Sequence, residues 1–198
     1  MCLFVETIRI ENRKAENLTF HNERMNRTRN TFFGTCTPID LANHIHSMDW
    51  AKETVKCRVV YNKDITEISY TPYRLRPVCS LHLIPADDLK YDYKSTDRRA
   101  LEDLYEKRGD ADDVLLVQNG LLTDTSIANI ALSDGTRWYT PTFPLLKGTR
   151  RASLLKEGKI TERIIRVEDI FAYSEITLFN AMIPFGKIHF PVDPQHIR

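Results

Sequence analysis

Apolar and polar positions divide this chain into short runs. The opening LFVETIRIE has strand composition, ENRKAEN reads as a polar turn, and LTF leads into a helix expected from about His21 to Phe33. Strand, hairpin, then helix is the predicted order. A second helical stretch, roughly Thr37 to Lys52, is predicted from the cap-and-proline start at Thr37 and Pro38. Three strand-like runs follow, VKCRVVY, ITEISYTPY and VCSLHLI, separated by the turn-forming NKD and by RLRP. They predict a first α+β lobe with an antiparallel sheet, covering residues 1–90. The polar segment IPADDLKYDYKSTD interrupts the pattern and is the expected link to a second lobe, residues 91–198. That lobe is predicted to hold a helix over about Arg98 to Arg108, strands at VLLVQN, ANIALS and RWYTP, a helix beginning near Gly148, and ITLFNAM near the end. Clefts between lobes commonly hold ligands.

Composition narrows the partners. The 28 lysines and arginines nearly balance 27 aspartates and glutamates, so no global field favours nucleic acid or an anionic membrane. A small molecule or another copy of the chain is the expected partner. Cys2, Cys36, Cys57 and Cys79 are scattered without CxxC pairing, and MCLFVETIRI lacks the basic and apolar regions of a signal peptide. A reducing cytoplasm is expected, with no metal site. No apolar run approaches the roughly 20 residues of a membrane helix.

Four stretches can carry chemistry, and each also has a plain reading. In HNERMNRTR the spacing of Arg24 and Arg27 puts both on one helical face, which can grip a phosphate or simply be solvated. In YDYKSTDRR, Lys94 lies at the expected junction; a desolvated lysine has a lowered pKa and can attack an aldehyde, whereas most lysines only decorate the surface. NGLLTDTSIANIAL places Asp124 five positions before Asn129, an acid able to keep a pyridine nitrogen protonated, or a turn whose side chains bond local amides. LLKGTRR and LFNAM are small-residue turns that can lead into helix amino termini, where amides bind phosphate oxygens, or merely start helices.

In this order and spacing the stretches resemble the class IV aminotransferase family, the fold-type IV pyridoxal phosphate enzymes, and its aminodeoxychorismate lyase-like members especially. Phe4, Glu6, Thr7 and Arg9 match an FETxR strand, and His21 and Arg24 match the helix that follows it. Lys94 with Arg98 matches the cofactor lysine and the arginine four residues on. Asp124, Ser126, Asn129, Thr140, Pro141, Gly148 and Arg151 match the later signature, and Asn180 to Pro184 a terminal NALMP-like element. The resemblance implies the two-lobed α+β fold of D-amino acid aminotransferase-like enzymes, pyridoxal 5'-phosphate as cofactor, and a homodimer whose neighbouring subunit completes each site. It implies that Lys94 carries the cofactor and moves the proton, that Arg24 binds its phosphate, that Asp124 faces its pyridine nitrogen, and that Asn129 is among the cofactor-binding residues. Amides at Thr149, Arg150, Asn180 and Ala181 would complete the phosphate cup, and Thr7 would assist proton delivery.

The chain departs from the family in three places. Asp124 stands where the family usually has glutamate, the chain begins directly at the first strand and is shorter than typical members, and PYRLRP replaces the family's substrate loop. Arg74 and Arg76 in that segment can bind substrate carboxylates or decorate an exposed turn. For a small amino substrate, the resemblance implies first an elimination on an aminodeoxychorismate-like compound, giving 4-aminobenzoate and pyruvate. The alternatives are transamination of a branched-chain or D-amino acid, and a catalytically silent homologue that binds the cofactor or a metabolite.

Overall fold

In the computed structural model, which describes residues 2–46 and 53–198, the first strand, β1, runs over Phe4–Glu11. Asn12 and Arg13 then take positive φ of 49° and 63°, a two-residue turn whose twist suits antiparallel strands, and β2 (Lys14–Ala15) returns along β1. Helix α1 spans Leu18–Phe33, starting three residues earlier than the sequence pattern predicts, directly after Asn17 in the left-handed conformation. Strands β3 (Val55–Tyr61) and β4 (Ile65–Pro72) complete an antiparallel sheet of order β2-β1-β3-β4.

The register of β1 on β3 decides which side chains share a face. Phe4, Glu6, Ile8 and Ile10 lie opposite Tyr61, Val59, Cys57 and Val55, because side chains alternate with period two. With Met25 of α1 and Leu41, the apolar members of this set form one buried cluster. Glu6 is the charged residue in the middle of that face.

The helix expected from Thr37 to Lys52 is absent from its described part, where only Leu41–Asn43 forms a short 3-10 turn; residues 47–52 lie outside the described residues. Side chains of α1 explain this. Asn26 accepts from Ile39 N–H and donates to its carbonyl, both at 2.9 Å, and Asn22 accepts from Leu41 N–H at 2.9 Å. These backbone groups therefore bond sideways to α1 rather than along a helix of their own.

Strand β5 (Leu81–Pro85), from the run VCSLHLI, does not join the first sheet. It pairs in parallel with β6 (Asp113–Gln118), and Ile84 packs with Leu101, Val114 and Leu116. The chain accordingly divides into one unit made of residues up to Leu75 with Tyr93–Asp97, and another of Arg76–Asp92 with Arg98–Arg198. This differs from a single boundary at residues 90 and 91, since the expected link contributes to both units.

In the second unit α2 (Arg99–Tyr105) precedes β6, and β7 (Leu121–Thr125), β8 (Asn129–Ser133) and β9 (Trp138–Pro141) follow antiparallel. Helix α3 (Thr149–Lys156) leads to β10 (Thr161–Arg163), parallel to β9. Strands β11 (Glu175–Phe179) and β12 (Ile188–Pro191) close the chain, β11 pairing with β8. β8 thus borders β7, β9 and β11, which curls the sheet. The architecture is α+β, and no helix among the described residues is long and apolar enough to cross a membrane.

Candidate functional site

Two constellations stand out, one in each unit. In the first, Glu6 is fully buried and both of its oxygens are engaged. Arg24 donates from Nε to Oε1 at 2.9 Å and from Nη2 to Oε2 at 2.5 Å, and His21 Nδ1 lies 2.6 Å from Oε2. His21 and Arg24 are three apart on α1, so they meet the same strand residue. Burial alone would raise the Glu6 carboxyl, but the Arg24 guanidinium and the His21 bond outweigh it and hold it at about 2. Burial lowers the His21 imidazole below its ordinary range despite Glu6, and the charges of Arg24 and Lys94 add to the lowering. An ionised carboxylate only accepts hydrogen bonds, so neutral His21 carries its proton on Nδ1. Arg27, by contrast, is exposed, so the two arginines do not form a common grip. The buried arginine near Arg24 is Arg29, which holds the carbonyls of Lys63 and Thr37.

Lys94 is half-buried in the segment that runs beside the start of β1. Its carbonyl accepts from Val5 N–H at 2.9 Å, Ser95 bridges to Phe4, and Thr96 N–H donates to the Leu3 carbonyl at 3.0 Å. The Tyr93 ring meets Phe32 edge-on, with centroids 4.8 Å apart. The backbone bearing Lys94 is thereby fixed next to Glu6. Thr7 is half-buried and, by strand alternation, points to the opposite face from Glu6, where its cross-strand partner is Arg58.

In the second unit Asp124 and Asn129 are cross-strand partners at the ends of β7 and β8. The Thr125 hydroxyl accepts from the amides of Ile127 and Ala128, and Thr125 N–H donates to the Ala128 carbonyl, so a four-residue turn sets the five-residue spacing. Asn129 Nδ2 donates to Asp124 Oδ1 at 2.9 Å and to the Leu146 carbonyl at 2.8 Å, while Leu146 N–H donates to Asp124 Oδ2 at 2.8 Å. Burial pushes the Asp124 carboxyl up to about 7, against those bonds and the more distant charge of Arg151. Gly148 is pressed against Asn129: a Cβ at that position would collide with Asn129 Oδ1. Arg151 is buried and ties α3 to its surroundings through the Pro141 carbonyl at 2.8 Å and Glu162 at 2.6 Å. The spaced signature of aspartate, asparagine, glycine and arginine is thus one packed assembly.

The remaining expected residues are placed as follows. Thr149 and Arg150 are the first two residues of α3, and Thr149 is buried. Asn180 N–H donates to the Ile183 carbonyl at 3.2 Å, its Oδ1 accepts from Met182 and Ile183, and its Nδ2 holds the Ile127 carbonyl at 3.0 Å. Asn180 therefore shapes its loop with the very amide expected to face a phosphate, which leaves Ala181 as the better donor of that pair. Arg76 donates to Tyr105 Oη at 2.6 Å and lies 3.7 Å from the buried Asp113 carboxylate, so its guanidinium anchors the chain; Arg74 is exposed. The sequence motifs included Glu6 and His21 but gave them no role. The signal was present, because Glu6 falls on the inward-facing set Phe4, Ile8, Ile10 of an alternating strand.

The sequence profile of Amino-transferase class IV matches residues 3–189. The chain belongs to the class IV aminotransferase family. An uncharacterized protein of Haemophilus influenzae is 36% identical over 181 residues, covering 89% of this chain and 96% of that protein. A solved structure from Haemophilus somnus, provisionally named a 4-amino-4-deoxychorismate lyase, superposes with a TM-score of 0.87 at 32% identity, covering 92% of this chain and 97% of the other. One from Mesorhizobium loti, provisionally named an amino-acid aminotransferase, gives 0.81 at 23% identity, over 96% and 99%, and supports the fold. Class IV aminotransferases are pyridoxal phosphate-dependent enzymes. The buried residues fit such a cofactor. Asp124 is a desolvated carboxylate whose hydrogen-bond donors are uncharged amides, a setting that a protonated pyridine nitrogen would relieve.

Proposed function

We propose that this class IV aminotransferase uses pyridoxal 5'-phosphate to cleave an aminodeoxychorismate-like substrate into 4-aminobenzoate and pyruvate, acting as a homodimer. The observation that carries the cofactor half of this reading is Asp124, buried, rigidly held and raised to about 7. The reaction half is supported by the 32% identical Haemophilus somnus protein and by the spacing of Lys94 and Arg98.

When bound, the cofactor supplies an electron-withdrawing ring for the substrate Cα. The chain's own residues do the rest. Lys94 Nζ would hold the cofactor through its aldehyde group and would move a proton at the substrate carbon. Arg24 takes the phosphate, with Thr149, Arg150 and Ala181 amides as further donors. Asp124 would keep the pyridine nitrogen protonated, and Asn129 fixes Asp124 through the 2.9 Å bond. Thr7 assists proton delivery.

Incubating cofactor-loaded protein with aminodeoxychorismate should release 4-aminobenzoate and pyruvate. Incubation with an amino acid and a keto acid should give no exchange of the amino group. The reverse outcome assigns a transaminase. Borohydride reduction should trap the cofactor on Lys94 and leave none trapped in Lys94→Ala; an adduct surviving in that variant moves the role to another lysine.

A further inference from the structure

We propose that Glu6 is the positioning residue of the phosphate-binding arginine: it locks the Arg24 guanidinium in one orientation so that its outer edge faces the cofactor phosphate. The proposal rests on the reading above, in which Arg24 takes that phosphate.

The argument starts from where Glu6 sits. On an inward strand face otherwise made of Phe4, Ile8, Ile10 and their apolar partners, a carboxylate is costly to bury and no packing need explains it. Its geometry is that of a holder. A guanidinium has a side edge, Nε with one Nη, and an end edge formed by the two Nη groups. Glu6 occupies the side edge through Nε at 2.9 Å and Nη2 at 2.5 Å. A two-point grip fixes the plane of the ring of donors, whereas a single bond would let it swivel. The end edge then points away from Glu6, and phosphate oxygens match its spacing.

His21 reinforces the grip. Its Nδ1–H binds Oε2 at 2.6 Å, so the carboxylate itself cannot rotate without losing a buried bond. The imidazole remains neutral in this pairing, which keeps Arg24 as the cation of the trio. A displaced phosphate anchor loses affinity steeply with small misplacement, so a fixed arginine is worth more than a mobile one of equal charge.

The experiment compares binding of pyridoxal 5'-phosphate with binding of pyridoxal, which lacks the phosphate, by absorbance titration. Wild type should prefer the phosphorylated form, and Arg24→Met should lose that preference. Glu6→Gln should lower the preference about tenfold while leaving pyridoxal affinity unchanged, the size expected for one charge-assisted bond lost. Added to Arg24→Met, it should change the ratio no further, because Glu6 acts through Arg24. Should Glu6→Gln fail to fold, Glu6→Asp keeps the charge but cannot span both partners, and its ratio should fall as well. A wild-type ratio in the folded Glu6 variant, with the ratio lost in Arg24→Met, overturns the positioning role and leaves the cofactor reading standing. A wild-type protein that binds both compounds equally removes the phosphate role of Arg24 and this proposal together.

Discussion

Glu6 in the first unit and Asp124 in the second are both buried carboxylates, each holding two or three short hydrogen bonds, and their proton affinities move in opposite directions. Glu6 is held at about 2, while Asp124 rises to about 7. Burial penalises both charges. The difference is the nature of the donors: a guanidinium and an imidazole surround Glu6, whereas an asparagine amide and a backbone amide hold Asp124. Glu6 is electrically complete within its own unit. Asp124 is geometrically held, but among the described residues its hydrogen-bond donors are uncharged. Shape can therefore be preorganised at both places while charge is balanced at only one.

The sharpest way to break this comparison is to remove the internal cation. Arg24→Met should destabilise the cofactor-free protein by about 3–5 kcal/mol in urea unfolding, because it strands a buried carboxylate. His21 then becomes the counter-ion, so the loss should be smaller at pH 5 than at pH 8. An equal loss at both would mean that neither His21 nor Glu6 takes up a proton in the variant over that range.

Asp124 predicts the opposite pH behaviour. Its folded affinity, about 7, exceeds the unfolded value near 4, so the folded state holds the extra proton between them. Its stabilisation is fully present below about pH 4 and is lost as pH rises through about 7. Cofactor-free wild type should lose roughly 2–3 kcal/mol more than Asp124→Asn between pH 5 and pH 8. Cofactor binding should flatten the wild-type slope. A wild-type profile parallel to that of the variant would show that Asp124 is ionised without a cation.

Gly148→Ala should cost less, about 1–3 kcal/mol, because the added methyl displaces one amide rather than stranding a charge. The displaced group is Asn129, so the Asp124 pH slope should change along with the melting temperature. A variant that melts lower with the slope unaltered would separate Gly148 from the carboxylate.

Much of this arrangement was legible in the sequence. The alternation of Phe4, Ile8 and Ile10 located β1, and the spacing from Asp124 to Asn129 located a turn that proved to be a cross-strand pair. Tertiary contacts decided the rest. Leu81–Pro85 has the composition of any buried strand, and its parallel partner β6, with the chain end at His196 and Arg198 bonded to it as well, assigns it to the second unit. The stretch after Thr37 carries a helix-start pattern, yet Asn22 and Asn26 bind its backbone from the side, which no local pattern reveals. Arg24 and Arg27 have the spacing of a shared face, but α1 packs so that only the first is buried. A helix covered on one side separates residues that a spacing rule joins.

Arg76 supplies the smallest test of how far internal pairing extends. Half of its side chain is exposed, and it combines a 2.6 Å bond to Tyr105 with a 3.7 Å approach to the buried Asp113. The guanidinium is half exposed and 3.7 Å from the acid, a weak pairing, so Arg76→Ala should lower stability by about 1 kcal/mol. If the guanidinium is an anchor, turnover should follow the small stability change and the substrate KM should stay at the wild-type value. If it binds a substrate carboxylate instead, KM should rise several-fold at constant melting temperature.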